Sequence, residues 1–115
     1  MKAIFVELPS FQRLRDEYFD DDSFKGLQDA LMSHPEAGDV IKGTGGLRKI
    51  RYADERRGKG KRSGLCVIYF WKDAADQFWL FTVYGKDQAD DLTPDQCKLL
   101  KQRLDLEIKA RRILK

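Results

Sequence analysis

The residues able to do chemistry in this chain gather in one basic stretch and one short motif after it. Arg48, Lys49 and Arg51 lead into the run Arg56-Arg57-Gly58-Lys59-Gly60-Lys61-Arg62, and Tyr84-Gly85-Lys86 follows later. Lysine, arginine and tyrosine without histidine suit contact with a polyanion, and they suit one reaction in particular, cleavage of an RNA phosphodiester. The 2′-hydroxyl must lose a proton and attack phosphorus. The pentavalent transition state gathers negative charge, and the 5′ oxygen must be protonated as it leaves. Crowded cations lower one another's proton affinity and bring a lysine towards a useful general base. Arginine stays charged and grips a phosphate with two donors. Tyrosine stacks on a base or relays a proton. A phosphate-binding surface without catalysis uses the same residues, so the residues alone leave both readings open.

The charge distribution supports a localised site. Residues 40–71 carry nine basic side chains against Asp54 and Glu55, a net +7, while residues 1–39 carry four basic and nine acidic, a net −5. The whole chain is only +3. A basic block between acidic flanks marks one polyanion-binding face, although a solvated charged loop has the same composition.

Other chemistries find little support. The one histidine, His34, stands before Pro35 at an expected helix end, where a histidine is usually a surface residue favoured by the helix dipole. Cys66 and Cys97 lack metal or redox spacing, and no metal or cofactor is expected. Gly43-Thr44-Gly45-Gly46 is not followed by the Lys-Ser/Thr of a phosphate-binding loop. The acidic run Asp20–Asp22 reads as a helix-capping turn. No helix-turn-helix with a basic second helix appears, which argues against a DNA-binding regulator. No apolar run is long enough to span a bilayer, and the N-terminal residues do not read as a secretory signal. No membrane association and a cytoplasmic location are therefore expected, with both cysteines as free thiols.

The elements that must position these residues follow from periodicity. Ala3–Val6 reads as a short strand. Phe11, Leu14, Tyr18 and Phe19 are spaced for one face of a first helix opened by Pro9 and Ser10. Asp20–Ser23 caps a second helix with Phe24, Leu27, Leu31 and Met32 inside, ending before Pro35. Gly38 to Gly46 reads as loop. Strands are expected at Leu47–Ala53, Leu65–Trp71 and Phe78–Tyr84, the last two joined by a tight turn over residues 72–76. Thr93-Pro94-Asp95-Gln96 starts a final helix with a capping box, and Cys97, Leu100, Leu104 and Ile108 line one of its faces. The order β-α-α-β-β-β-α predicts a single α+β domain over 1–115, a mostly antiparallel sheet of about four strands with two N-terminal helices and a C-terminal one. That order brings the 54–64 loop beside Tyr84 and Lys86, with Arg51 within reach and Arg48 farther along.

The motifs together resemble a family. Gly38-Asp39-Val40-Ile41, Gly43 through Arg51, Gly58 through Arg62, Val67-Ile68-Tyr69-Phe70, Tyr84-Gly85-Lys86 and Asp91-Leu92-Thr93 are similar, in order, to HigB toxins of the RelE superfamily. The resemblance implies a RelE-like fold, ribosome-dependent cleavage of mRNA without a metal, and a HigA-like helix-turn-helix antitoxin as partner. It implies Lys59, Lys61, Arg62, Tyr84 and Lys86 as catalytic residues. It also implies RNA contact by Arg48, Lys49, Arg51, Arg56 and Arg57. At position 66, where the family usually has an arginine facing the scissile phosphate, this chain has Cys66. Either Arg62 takes over that role or the substitution attenuates the enzyme.

Overall fold

Two neighbouring apolar segments dictate the architecture. Leu65–Phe70 and Phe78–Val83 are apolar at almost every position, so strands built from them must be covered on both faces. In the computed structural model, which describes residues 2–53, 64–85 and 92–113, that is what happens. The elements are β1 (Ile4–Glu7), α1 (Pro9–Tyr18), α2 (Asp21–Ser33), β2 (Asp39–Val40), β3 (Arg48–Tyr52), β4 (Leu65–Lys72), β5 (Gln77–Gly85) and α3 (Pro94–Ile113), with one 3-10 turn at 73–75 between β4 and β5. The sheet runs β1-β5-β4-β3-β2, with β1 parallel to β5 and the other pairs antiparallel. The α+β class, the two N-terminal helices and the C-terminal helix match the expectation.

One face of the sheet carries α1 and α2. Phe11, Tyr18, Phe19, Phe24, Leu27 and Leu31 pack there against Leu65, Val67, Tyr69, Phe78, Leu80 and Val83. The other face carries α3, where Leu104 joins Leu8, Leu47, Ile68, Trp79 and Phe81. Alternation along β4 therefore sends Leu65, Val67 and Tyr69 one way and Cys66, Ile68 and Phe70 the other. The pairing of β4 with β5 slips between Ile68 and Tyr69: Ile68 faces Thr82 and Tyr69 faces Leu80, leaving Phe81 as the extra residue of a bulge.

Capping fixes where the helices begin. The Asp20 carboxylate accepts from the Ser23 amide at 2.8 Å, and the Ser23 hydroxyl returns a contact to the Asp20 amide at 3.0 Å. At α3, the Gln96 amide donates to the Thr93 hydroxyl at 3.2 Å and the Thr93 amide donates to the Gln96 side chain at 2.8 Å. The α3 box was legible from residue type alone. At α2 the sequence offered the Asp20–Ser23 run as cap candidates, and the reciprocal Asp20–Ser23 box is a finding of the structure.

The segment read as loop from Gly38 to Gly46 needs a correction. Asp39 and Val40 form β2, paired with Lys49 and Arg48. Two residues give no periodicity to read, and the strand owes its place to the turn beyond it. Gly43, Gly45 and Gly46 take φ of 82°, 80° and 122°, values that a side chain would strain. Fully buried Thr44 donates to the Ile41 carbonyl at 2.6 Å, which folds the turn back so that the Ile41 amide reaches the Leu47 carbonyl at 2.8 Å.

Candidate functional site

The end of β3, the start of β4 and the end of β5 meet at one edge of the sheet. Tyr52, Leu65 and Gly85 form one cross-strand row there, and Arg51, Cys66 and Tyr84 form the next. Directly opposed residues share a face, with Cβ atoms about 5 Å apart. Ile68 and Phe70 pack on the α3 side, so alternation puts Arg51, Cys66 and Tyr84 on that side too. Lys49, opposite Ile68, stands one row farther along the same face.

Burial separates the members of this row. Arg51 is exposed and Lys49 half-buried, whereas Cys66 is 2% exposed. Tyr84 packs against the Leu8, Phe81 and Leu104 cluster, with its hydroxyl shut off from solvent. Cys66 thus lies inside the molecule, at the position where the family resemblance implies a residue facing the scissile phosphate. Position 66 begins β4, but β3 and β5 flank it through Arg51 and Tyr84, so the start of the strand is not the margin of the sheet.

Arg48 does not join the group. It faces Tyr69 across β3 and β4 and therefore points to the α1–α2 side. Its guanidinium donates to the carbonyls of Gly38 at 2.8 Å and Glu36 at 3.2 Å and pairs with the Glu36 carboxylate at 3.4 Å. Tyr69 anchors the same turn, its hydroxyl donating to the Pro35 carbonyl at 2.8 Å and accepting from the Gly38 amide at 3.0 Å. Burial pushes the Tyr69 phenol above its usual range. Gly38 allows this approach, since a Cβ there would meet the Tyr69 ring at 2.8 Å.

His34 caps the C-terminal end of α2 and lines a cavity with Trp71. Trp71 is five residues along β4 from Cys66, or about 16 Å at strand rise. Histidine chemistry is therefore remote from the Arg51–Cys66–Tyr84 row. Among the described residues no three His, Cys, Asp or Glu side chains gather to hold a metal ion, and no helix is long and apolar enough to cross a membrane.

Lys59, Lys61, Arg62, Arg56, Arg57 and Lys86 lie outside the described residues. Their attachment points do not. The segment carrying the basic run leaves after Ala53 and rejoins at Gly64, and Lys86 directly follows Gly85. With Tyr52 paired to Leu65 and Leu65 to Gly85, all three attachment points belong to the edge that holds Arg51 and Tyr84.

The structure also shows a feature that the sequence reading passed over. A groove of about 580 Å³ runs between the first turn of α1, the bulge of β5 and the outer side of α3. Leu99 and Leu106 stand on it, 65% and 61% exposed. Their seven-residue spacing was the available signal, masked by the stronger inner stripe of Leu100, Leu104 and Ile108.

No family model matches the sequence. Among solved structures, the fold is similar to that of a mutant of the E. coli toxin RelE in the free state, with a TM-score of 0.49 and 15% identity over 78% of this chain and 90% of that one.

Proposed function

We propose that this chain is an endoribonuclease toxin of the HigB branch of the RelE superfamily, which cleaves mRNA in the ribosome and is held inactive by a HigA-like helix-turn-helix antitoxin. The observation that carries the reading is the convergence of the family-like motifs on one edge. Arg51 and Tyr84 flank position 66 in a single cross-strand row, and the basic segment and Lys86 are attached beside them. Lys59, Lys61 and Lys86 supply the base and acid, since crowding lowers the proton affinity of a lysine. Arg62, with Arg51, neutralises the charge of the pentavalent transition state. Lys49, Arg56, Arg57 and, from the opposite face, Arg48 are the RNA-contact candidates. No metal or cofactor takes part.

The site holds no group with an ordinary pKa near 7, so positioning must supply much of the rate. A ribosome that holds the message in an attack-ready shape provides it. Primer extension on programmed ribosomes tests this: defined new 5′ ends should appear, and Lys59→Ala/Lys61→Ala/Arg62→Ala should reduce them about 100-fold or more. Comparable cutting of free RNA by the purified protein would overturn the ribosome requirement.

One observation favours a second reading, a non-catalytic RNA- or ribosome-binding module. Position 66 offers a buried thiol where a phosphate-facing cation is implied. A binder lowers translation on induction without leaving codon-linked 5′ ends, and that result would select the second reading.

A further inference from the structure

Three aromatic side chains stand in one cross-strand row on the α1–α2 side of the sheet. Phe5 faces Phe78 across β1 and β5, and Phe78 faces Trp71 across β5 and β4. The rings stack in that order, with centroids 4.9 Å and 4.4 Å apart and planes 11° and 30° from parallel. Phe78 therefore covers one face of the Trp71 indole. β3 begins at Arg48, opposite Tyr69, which is two residues too late to set a β3 side chain against the other face. Half-buried Trp71 instead borders a cavity of about 400 Å³, shared with the end of α2 and the turn that follows it.

The cavity wall favours a ligand that donates hydrogen bonds. α2 has no basic residue in its last turn, so the negative end of its dipole lacks a side-chain cation at Ser33 and His34, which line the cavity. The Glu36 carboxylate stands on the same wall. Arg48 holds that carboxylate by one long contact, 3.4 Å to Oε2, and 72% of the side chain is exposed, so it can turn to a second partner. Stacking on an indole selects a flat ring whatever its charge. The carboxylate then selects a ring with paired donors at its edge. Guanine has them, since its N1–H and N2–H lie side by side and match two carboxylate oxygens as an arginine fork does. Adenine turns the N1 lone pair towards the same oxygens and is repelled. Uracil and cytosine are single rings without such a donor pair. A guanidinium matches the carboxylate but covers less of the indole.

We propose that this cavity binds a guanine base, stacked on Trp71 as the next ring of the row and held at its Watson–Crick edge by Glu36. The site lies on the opposite face from the Arg51–Cys66–Tyr84 row and is read without ribosomes, so its failure leaves the proposed function standing. Titrating the isotope-labelled full chain with GMP should shift the amides of residues 33–37 and 71 and the Trp71 indole N–H. The indole N–H of fully buried Trp79 should stay in place. GMP should bind at least about tenfold tighter than AMP. Glu36→Gln, at an exposed side chain, should keep the fold and remove most of that preference. Trp71→Leu, checked for folding by circular dichroism, should weaken both nucleotides about tenfold or more. Single-stranded RNAs of about six nucleotides, uridine apart from one guanosine or one adenosine, separate the sources of the base. A guanosine preference that Glu36→Gln abolishes assigns the cavity to an RNA base, and a preference among the mononucleotides alone assigns it to a free nucleotide. Equal affinity for GMP and AMP, arginine amide binding as tightly as GMP, or shifts mapping away from 33–37 and 71 would each overturn the proposal.

Discussion

The two faces of the sheet are built to different standards. On the α1–α2 side, Phe11, Phe19 and Phe24 form a ring cluster with centroids 5.9–6.2 Å apart, and Phe78 stacks between Phe5 and Trp71. On the α3 side the long final helix commits, among its described side chains, one fully buried residue, Leu104, and leaves Leu99 and Leu106 in solvent. The candidate row of Arg51, Cys66 and Tyr84 lies on this second face, as does the groove. One face is a foundation made of aromatic packing. The other trades packing for accessible cations and an open apolar wall, which is what a surface that meets partners requires.

The sharpest way to break this comparison is to damage the foundation. Phe11 is wholly buried at the centre of the ring cluster. Phe11→Ala should cost about 3–5 kcal/mol in denaturant unfolding, enough to leave little folded protein at 37 °C. Leu104→Ala on the α3 side should cost less, about 2–3 kcal/mol, because fewer neighbours surround the cavity it leaves. Equal losses at the two positions would erase the distinction between the faces.

The next test is at position 66. Losing one preorganised donor from a charge-stabilising site typically lowers a rate about 100- to 1000-fold. Cys66→Arg should therefore raise ribosome-dependent cleavage and toxicity by about tenfold or more. Because Cys66 is buried and shares its row with Arg51, the variant should also lose about 1–3 kcal/mol in stability. A folded arginine variant that cuts no faster would mean that the site lies elsewhere. A fully active Cys66 protein would mean that Arg62 or another cation already fills the role.

How much of this was open to the sequence differs residue by residue. The capping box of α3, the cap of α2 within Asp20–Ser23, the tight β4–β5 turn and the meeting of the three strand ends follow from local residue types and from alternation, and the structure has them. The facing of β3 does not follow. Arg48, Lys49 and Arg51 put cations on both parities, and only the pairing with Tyr69 and Cys66 reveals that Arg48 goes to the Glu36–Gly38 turn while Arg51 goes to the candidate row. The burial of Cys66 was hidden for a related reason. β4 is apolar at both parities, so its pattern cannot say how far the cover extends. The strand at Asp39–Val40 and the outer stripe of α3 depend on tertiary placement, which periodicity over a few residues does not encode.

A smaller effect sharpens the contrast between the ends of the sheet. The Glu36–Gly38 end is clamped by Tyr69, whose hydroxyl bridges Pro35 and Gly38. Tyr69→Phe should cost about 1–2 kcal/mol and leave cleavage unchanged, since it removes a structural hydrogen bond far from the candidate chemistry. It should also alter the alkaline limb of the stability curve. Burial raises the folded-state pKa of Tyr69 above its unfolded value of about 10. Its contribution is therefore present below pH 10 and is lost as pH rises through the folded value, because the unfolded chain ionises first. Denaturation at pH 9 and pH 11 should show a smaller drop for Tyr69→Phe than for the parent. An identical drop would assign the alkaline sensitivity to other groups.

The smallest expected effect concerns the start of α3, where the foundation gives no help. The Thr93 hydroxyl accepts from the Gln96 amide at 3.2 Å, and both residues are exposed. Removing a threonine cap costs about 1 kcal/mol in a typical helix. Thr93→Ala should fall near that value if α3 unfolds together with the rest of the molecule. If α3 instead detaches before the core opens, its cap contributes to a local equilibrium and not to the global one. Thr93→Ala would then leave the global unfolding free energy almost unchanged while speeding amide exchange in residues 94–100. Hydrogen exchange measured beside denaturant unfolding separates the two outcomes. The weak packing of α3 on its face predicts the second: faster exchange confined to the first turns of α3, and a global change below about 0.5 kcal/mol. A full 1 kcal/mol loss in global stability would show that the α3 face is as firmly joined to the sheet as the aromatic one.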